Sequence, residues 1–493
     1  MCFFLRCLAS CRSFVASFTL NDVMEARRTI QPCSHHELRS PQQHEIIRSR
    51  GWIPRRKRLS VTALAVFAIY LLGLFLAFYS HPGFALFSYL WIFYNHPPAY
   101  WWGADLPDLR YSLFAAVAAF FAALSIKTQR TAPWFSNAGA KLITAYAVWM
   151  WIQVPWAIDS SVHVEGAILF TKYVILFYII YKIASDEKTM EGFFWAHIAG
   201  CFLFGWVAYT SHVTGRLETV GGPGVDDANL LAAHMITGLG VAGFMFMGLK
   251  GHRRWAAFFP IPFILNGIIL TQSRGAFLAL LASAPVAWYL SPRTHRRFVL
   301  IAIVLGGVLF LSLSNEEFWE RTSTIFGAGD SQSQETRVHI IGPQFQMFLD
   351  YPLGAGHRGN EFLSPKYIPE EFMSNAGRRS AHNTFMAVLV DQGLPGALIL
   401  TGLYVWVGVS LRRLKRLDKQ GLPMLLGDYR AAVGTALVSC FVSGLFLNML
   451  KTEVQIWFLA LLASLIARSE LAVADRQTSA TAATNRPAPI AGN

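Results

Sequence analysis

Charge is scarce in this chain. Only 14% of its 493 residues are Asp, Glu, Lys or Arg, against about 25% in a soluble globular domain, and 54% are hydrophobic. That deficit excludes an ordinary soluble fold. Cysteine is scarce too, with 6 in all. Cys2, Cys7, Cys11 and Cys33 precede the first long apolar run, and Cys201 and Cys440 lie inside apolar runs. No CxxC pair occurs, so neither a disulfide framework nor zinc-ligand spacing is indicated. The alternation of a β-barrel strand is missing as well. What remains is a series of long apolar runs, and these imply an all-α polytopic membrane protein. The net charge of +13 does not point to nucleic acid. The basic residues come in short clusters between apolar runs, the pattern of cytoplasmic loops.

Runs of roughly span length occur at 60–79, 110–126, 140–157, 166–184, 192–213, 227–249, 255–272, 275–290, 297–313, 394–411, 430–448 and 453–468. They predict about 12 transmembrane helices, with a long extracytoplasmic loop, 314–382, between spans 9 and 10. A further run, 83–95, is short and ends in Asn95-His96-Pro97-Pro98. It reads as re-entrant or interfacial, with Tyr100, Trp101 and Trp102 as anchors. With the N-terminus inside, the clusters Lys127/Arg130, Lys182/Lys188, Lys250/Arg253/Arg254, Arg293/Arg296/Arg297 and Arg412/Arg413/Lys415/Arg416 all fall on one side.

The other face collects the candidate chemistry. Arg274, in Gln272-Ser273-Arg274-Gly275, lies between two apolar runs. It is either a snorkelling arginine in a tight turn or a fixed cation at the rim of an outward cavity, where its planar fork suits a phosphate. Loop 215–227 brings Arg216 and the run Gly221-Gly222-Pro223-Gly224, whose glycines permit close backbone approach to a ligand. Asp227 or Asn229 is expected to cap the helix that follows. Loop 314–382 carries nine acids against six Lys or Arg. It predicts a small subdomain with a helix over 336–349 and turns at Tyr351-Pro352 and 354–356. Arg337 within it is either a solvated helical charge or a second cation for the same anion. The loop ends in Arg378-Arg379-Ser380-Ala381-His382-Asn383. Ionisable groups at a bilayer boundary are costly and tend to be functional, and an imidazole titrates near neutrality, where it can take a proton from a hydroxyl. The plainer alternatives are an interfacial histidine, Asn383 as a cap, and 393–396 as a kink. The gathering of these groups on one face favours chemistry.

The spacing of His382-Asn383, nine residues, then Gly393-Leu394-Pro395-Gly396 resembles the signature of the O-antigen ligase/polymerase superfamily of bacterial integral membrane glycosyltransferases. Ser273-Arg274-Gly275 resembles that family's arginine at a membrane boundary. Arg337 followed by Pro352-Leu353-Gly354-Ala355-Gly356 resembles its Arg…Pro-Leu-Gly-x-Gly run. Asp391 stands where many relatives have Glu. The likeness runs from about 190 to 465, and Trp91, Asn95-His96-Pro97 and Trp102-Gly103 are similar to the subgroup that accompanies exosortase systems.

The resemblance implies a metal-independent lipid-linked-glycan transferase without a cofactor. It would sit in the bacterial inner membrane with its active face periplasmic. The implied reaction moves a glycan from an undecaprenyl-pyrophosphate carrier to an acceptor hydroxyl on lipid A core, a growing polysaccharide or a protein. It implies His382 as general base, with Arg274 and Arg337 stabilising the pyrophosphate. Arg216, Asp227, Asn383, Asp391, Gly393 and Gly396 are expected at the substrate, with no metal ligand and no nucleic-acid partner. The expected division is a cytoplasmic arm 1–59, a transmembrane region 60–185, a catalytic transmembrane region 186–468 and a disordered tail 469–493. A secondary transporter of a lipid-linked or anionic solute is the competing class. The lack of a convincing internal repeat, and charges at one face rather than the midplane, weigh against it.

Overall fold

Backbone removed from water must satisfy its own hydrogen bonds, and each long apolar run here does so as helix. The computed structural model describes residues 60–126, 133–211, 215–314, 316, 319, 339–373, 377–418 and 424–484. No strand occurs among the described residues, and the chain is an all-α polytopic membrane protein. Its first helices are α1 (Val61–Tyr79), α2 (Gly83–Tyr94), α3 (Tyr111–Ser125), α4 (Ala138–Gln153), α5 (Ser160–Ile183) and α6 (Glu187–Thr210). Next come α7 (Ala228–Gly248), α8 (His252–Phe258), α9 (Ile261–Leu270), α10 (Arg274–Leu290) and α11 (Arg296–Leu313). Then follow α12 (Ile341–Asp350), α13 (Gly359–Tyr367), α14 (Thr384–Asp391), α15 (Gly393–Leu417), α16 (Met424–Ser443) and α17 (Glu453–Thr484).

Among the described residues, seven helices are long and apolar enough to cross a membrane: α1, α5, α6, α7, α11, α15 and the 453–474 part of α17. The shorter apolar helices include α3 and α10. The run expected over 255–272 is broken into α8 and α9 at Phe259-Pro260, since proline cannot donate to the helix ladder. Burial orders the bundle. The most apolar windows of α7 and of α17 are each 72% buried, against 22% for α1 and 11% for α11. The first pair therefore forms the centre with α16, which packs on both, and the second pair offers its surface to lipid. Short polar residues start the helices. Asp159, Asp186, Asp227, Ser273 and Asn383 cap α5, α6, α7, α10 and α14 by accepting first-turn N–H bonds, which satisfies donors that a helix start otherwise leaves open. At the other end of the chain α17 continues to Thr484. Order extends past the expected boundary at 469 because alanine, glutamate, arginine and glutamine are strong helix formers.

The short run 83–95 is not interfacial. Its helix α2 buries Ala85, Leu86, Tyr89, Leu90, Ile92 and Tyr94 against α1, α3 and α6. Its 12 residues reach only ~18 Å at 1.5 Å per residue, short of a hydrocarbon core of ~30 Å. Of the three expected anchors Trp101 is exposed, while Trp102 is buried and stacks on Tyr100. The direction of α1 also differs from expectation. Ser60 N–H donates to Asp105 in the loop after α2, and Trp91 donates to Val66 O, so α1 and α2 form an antiparallel hairpin. Its turn lies beside Thr189 at the start of α6, and its open end lies beside loop 215–227, where His96 packs on Gly222. The Ser60 end of α1 is thus at the level of the loops that carry Arg216 and Arg274. The charge count missed this because it treated 83–95 as returning to the side from which it came.

Part of the long loop is a small subdomain. Ile340, Met347, Ala355, Leu363 and Ile368 pack with Val390 of α14 into an apolar cluster of their own. Helix α12 begins at Ile341, and Arg337 lies outside the described residues.

Candidate active site

The two halves of the glycine signature fold onto one another. Ala355 N–H donates to Val390 O, Gly356 N–H to Asp391 O and Leu394 N–H to Pro352 O, each at 2.9 Å. Gly393 has φ +64°, and a Cβ there would lie 2.4 Å from the Pro352 carbonyl oxygen. Only glycine meets both demands at low cost. The buried Asp391 carboxylate accepts from the Arg358 and Asn360 N–H groups at 3.0 and 2.8 Å; these bonds fix the loop that leads into α13. Gly396 packs on Gln392 one turn earlier. The first half of the chain grips the same latch. Gln153 donates to Asp391 O at 2.7 Å and Trp149 to Gln392 O at 2.8 Å. His163 accepts from His357 N–H at 2.8 Å through Nδ1 and meets Met150 O at 2.7 Å through Nε2. That pairing fixes a neutral imidazole with its proton on Nε2.

This latch sets the position of α14, and α14 begins at the candidate base. The His382 side chain is exposed, and its backbone has φ +45°, a left-handed conformation that costs a non-glycine residue roughly 1–2 kcal/mol. Asn383 caps α14, accepting from Phe385 and Met386 N–H at 2.9 and 3.1 Å, and donates to Leu445 O at 3.1 Å. Thr384 N–H donates to Gly444 O at 2.7 Å. Its hydroxyl donates to Leu447 O at 2.7 Å and accepts from Met449 N–H at 2.9 Å. The start of α14 is therefore pinned to link 444–449, between α16 and α17.

The same link touches the start of α10. A Cβ on Gly275 would lie 3.0 Å from Phe446 Cβ. Arg274 is half-buried at the first position of α10 and follows Gln272 with φ +48°. The cap Ser273 donates to Asn229 Oδ1 at 2.8 Å. Arg216 donates to the same Oδ1 at 3.1 Å and to Thr271 O at 2.9 Å, and pairs with Glu218 at 3.6 Å. Asp227 caps α7 through Asn229 and Leu230 N–H at 2.7 and 3.0 Å. Three helix starts, of α7, α10 and α14, are thus tied together. Helix N-termini carry partial positive charge and favour anions. Gln272, Arg358 and His382 are the positive-φ residues other than glycine among the described residues. All three border this site or its latch, as expected where strain is held for function.

The O-Antigen ligase family model matches residues 258–401. This segment of the chain is similar to that family. The match includes Arg274, His382, Asp391, Gly393 and Gly396; Arg216 and Asp227 precede it. A comparison with curated proteins gives no match. The match supports glycosyl transfer of the O-antigen ligase or polymerase type in a membrane.

Sequence reasoning missed the supports of this domain. Gln153, Trp149 and His163 read as isolated polar or aromatic residues at the ends of apolar runs. His96 was visible only as part of Asn95-His96-Pro97, yet its ring packs on Gly222 in loop 215–227. Burial lowers its pKa and keeps it neutral.

Proposed function

We propose that this protein transfers a glycan from undecaprenyl pyrophosphate to an acceptor hydroxyl at the periplasmic face of the bacterial inner membrane. The reading rests on one observation. Link 444–449 touches both the helix start that carries Arg274 and the helix start that follows His382-Asn383, within reach of the segment that matches O-antigen ligase. Cation and base thereby share one rim. In the proposed step the acceptor oxygen forms a bond to the anomeric carbon while the bond from that carbon to the pyrophosphate oxygen breaks. His382 takes the hydroxyl proton and later passes it to water. Arg274, the start of α10 and Arg337 stabilise the charge that grows on the pyrophosphate, a task for preorganised donors. Asn383 fixes the backbone that carries the base. Arg216, Asn229 and Ser273 hold Arg274 in place, while Asp391, Gly393 and Gly396 hold the latch behind α14. Those six are positioning residues in this scheme, as is Asp227 through its cap on α7.

The test is reconstitution of the purified chain in vesicles with an undecaprenyl-pyrophosphate-linked glycan. Lipid A core, polysaccharide and peptide acceptors would be supplied separately. Covalent glycan on one acceptor, with release of undecaprenyl pyrophosphate, is expected. Counterflow of the lipid-linked solute without a covalent product would overturn the reading in favour of transport.

A further inference from the structure

Three metal-binding side chains that the transfer step does not use meet inside the bundle. His197 and Cys201 stand one turn apart on α6 and so share a face; His234 comes from α7. All three are buried, and one ligand atom from each lies within 4.8 Å of the others. The hydroxyl of Tyr94, the last residue of α2, joins them. It is 2.6 Å from His197 Nδ1, 2.9 Å from His234 Nε2 and 4.0 Å from Cys201 Sγ. Gly200 makes room for the Tyr94 ring, since a Cβ there would fall 2.2 Å from ring carbons. Phe93 and Phe204 pack on the His234 ring, and Phe458 packs on His197.

We propose that this cluster binds one d10 metal ion, zinc(II) or copper(I), through His197, His234 and Cys201, with the Tyr94 oxygen as fourth donor. Two imidazoles and a thiolate suit zinc or copper and disfavour magnesium or calcium, which prefer oxygen. Four ligand atoms at about 2.0–2.3 Å from a tetrahedral ion stand roughly 3.3–3.6 Å apart. The separations here, from 2.6 to 4.8 Å, bracket that range, so side-chain shifts of about an ångström complete the shell. Charge also fits. Copper(I) with the Cys201 thiolate is neutral, and zinc(II) becomes neutral when Tyr94 also loses its proton. A neutral assembly is what an apolar interior tolerates. Binding releases the thiol proton, and with zinc the phenol proton, to solvent. The ion would fasten the half-span α2 to α6 and α7, the latter being the helix whose start carries Asp227 and Asn229.

The experiment uses the full chain, purified without a histidine tag, carrying Cys2→Ser, Cys7→Ser, Cys11→Ser and Cys33→Ser so that arm thiols do not contribute. Elemental analysis after growth with zinc or with copper is expected to give about one ion per chain and to identify which. Cys201→Ser is expected to lower that content by about tenfold or more, while Cys440→Ser leaves it unchanged. Cobalt(II) titration of the metal-stripped parent is expected to produce a thiolate-to-cobalt charge-transfer band that Cys201→Ser abolishes. Should Cys201→Ser fail to fold, the parent's metal content and cobalt band decide alone. A folded parent with no bound metal and no cobalt band would overturn the proposal and leave a neutral hydrogen-bonded network. Equal metal content in the parent and Cys201→Ser would overturn it as well.

Discussion

Replacing Gly393 by alanine should damage the latch more than any single contact suggests. The left-handed backbone at φ +64° costs an alanine roughly 1–2 kcal/mol. The new Cβ would lie 2.4 Å from the Pro352 oxygen and from the Leu353 carbonyl carbon, and those are backbone atoms that cannot rotate away. Relief requires separating segments 352–356 and 390–394 of the latch. That strains bonds such as Leu394 N–H to Pro352 O and Gly356 N–H to Asp391 O, each contributing about 0.5–1.5 kcal/mol. Together the loss is roughly 2–5 kcal/mol. Gly408 is the control, because a Cβ there meets nothing within 4 Å. Thermal unfolding in detergent, limited proteolysis between 351 and 358 and glycan transfer would be measured on both variants. Gly393→Ala is expected to melt earlier, to be cut faster at the latch and to lose most activity, with Gly408→Ala like wild type. Equal melting, cleavage and transfer in the two variants would refute the argument.

Cysteines introduced at Ser60 and Ser380 should react with an impermeant maleimide from one side of the membrane, and a cysteine at Lys188 only from the other; labelling of Ser60 with Lys188 would disprove the direction of α1. Thr384→Val removes a hydroxyl that serves Leu447 O and Met449 N–H. It should cost about 1–3 kcal/mol in all and lower kcat more than it raises KM, whereas an unchanged kcat would separate link 444–449 from catalysis. Arg216→Lys keeps the charge but cannot span Thr271 O and Asn229 Oδ1 as a planar fork does. Its transfer rate should fall between those of wild type and Arg274→Ala, and a rate equal to wild type would remove Arg216 from the site.

Much of this was legible in the chain because bilayer physics is strict. Apolar runs had to become helices, and Asp227 and Asn383 stand where caps are needed. The basic clusters assign one consistent direction to the helices after α2. Run 83–95 was not legible, because twelve apolar residues fit a re-entrant piece as well as a buried half-span. Only burial by α1, α3 and α6 separates those cases. The spacing from His382 to Gly393 marked the signature, but not that Asp391 and Gly393 are latched to 352–360, since backbone pairing between distant loops leaves no periodic trace. His197 and Cys201 at i and i+4 were a readable hint. Tyr94 and His234 come from elsewhere in the chain, and only packing brings them to the same point.

The central claim is that His382 accepts the acceptor proton beside Arg274. The most direct measurement is the initial rate of glycan transfer by His382→Ala in reconstituted vesicles, against wild type at matched protein and donor. Loss of the base predicts a fall of about 10²–10⁴-fold with the fold and donor binding retained. A His382→Ala protein that transfers glycan at the wild-type rate would contradict the account.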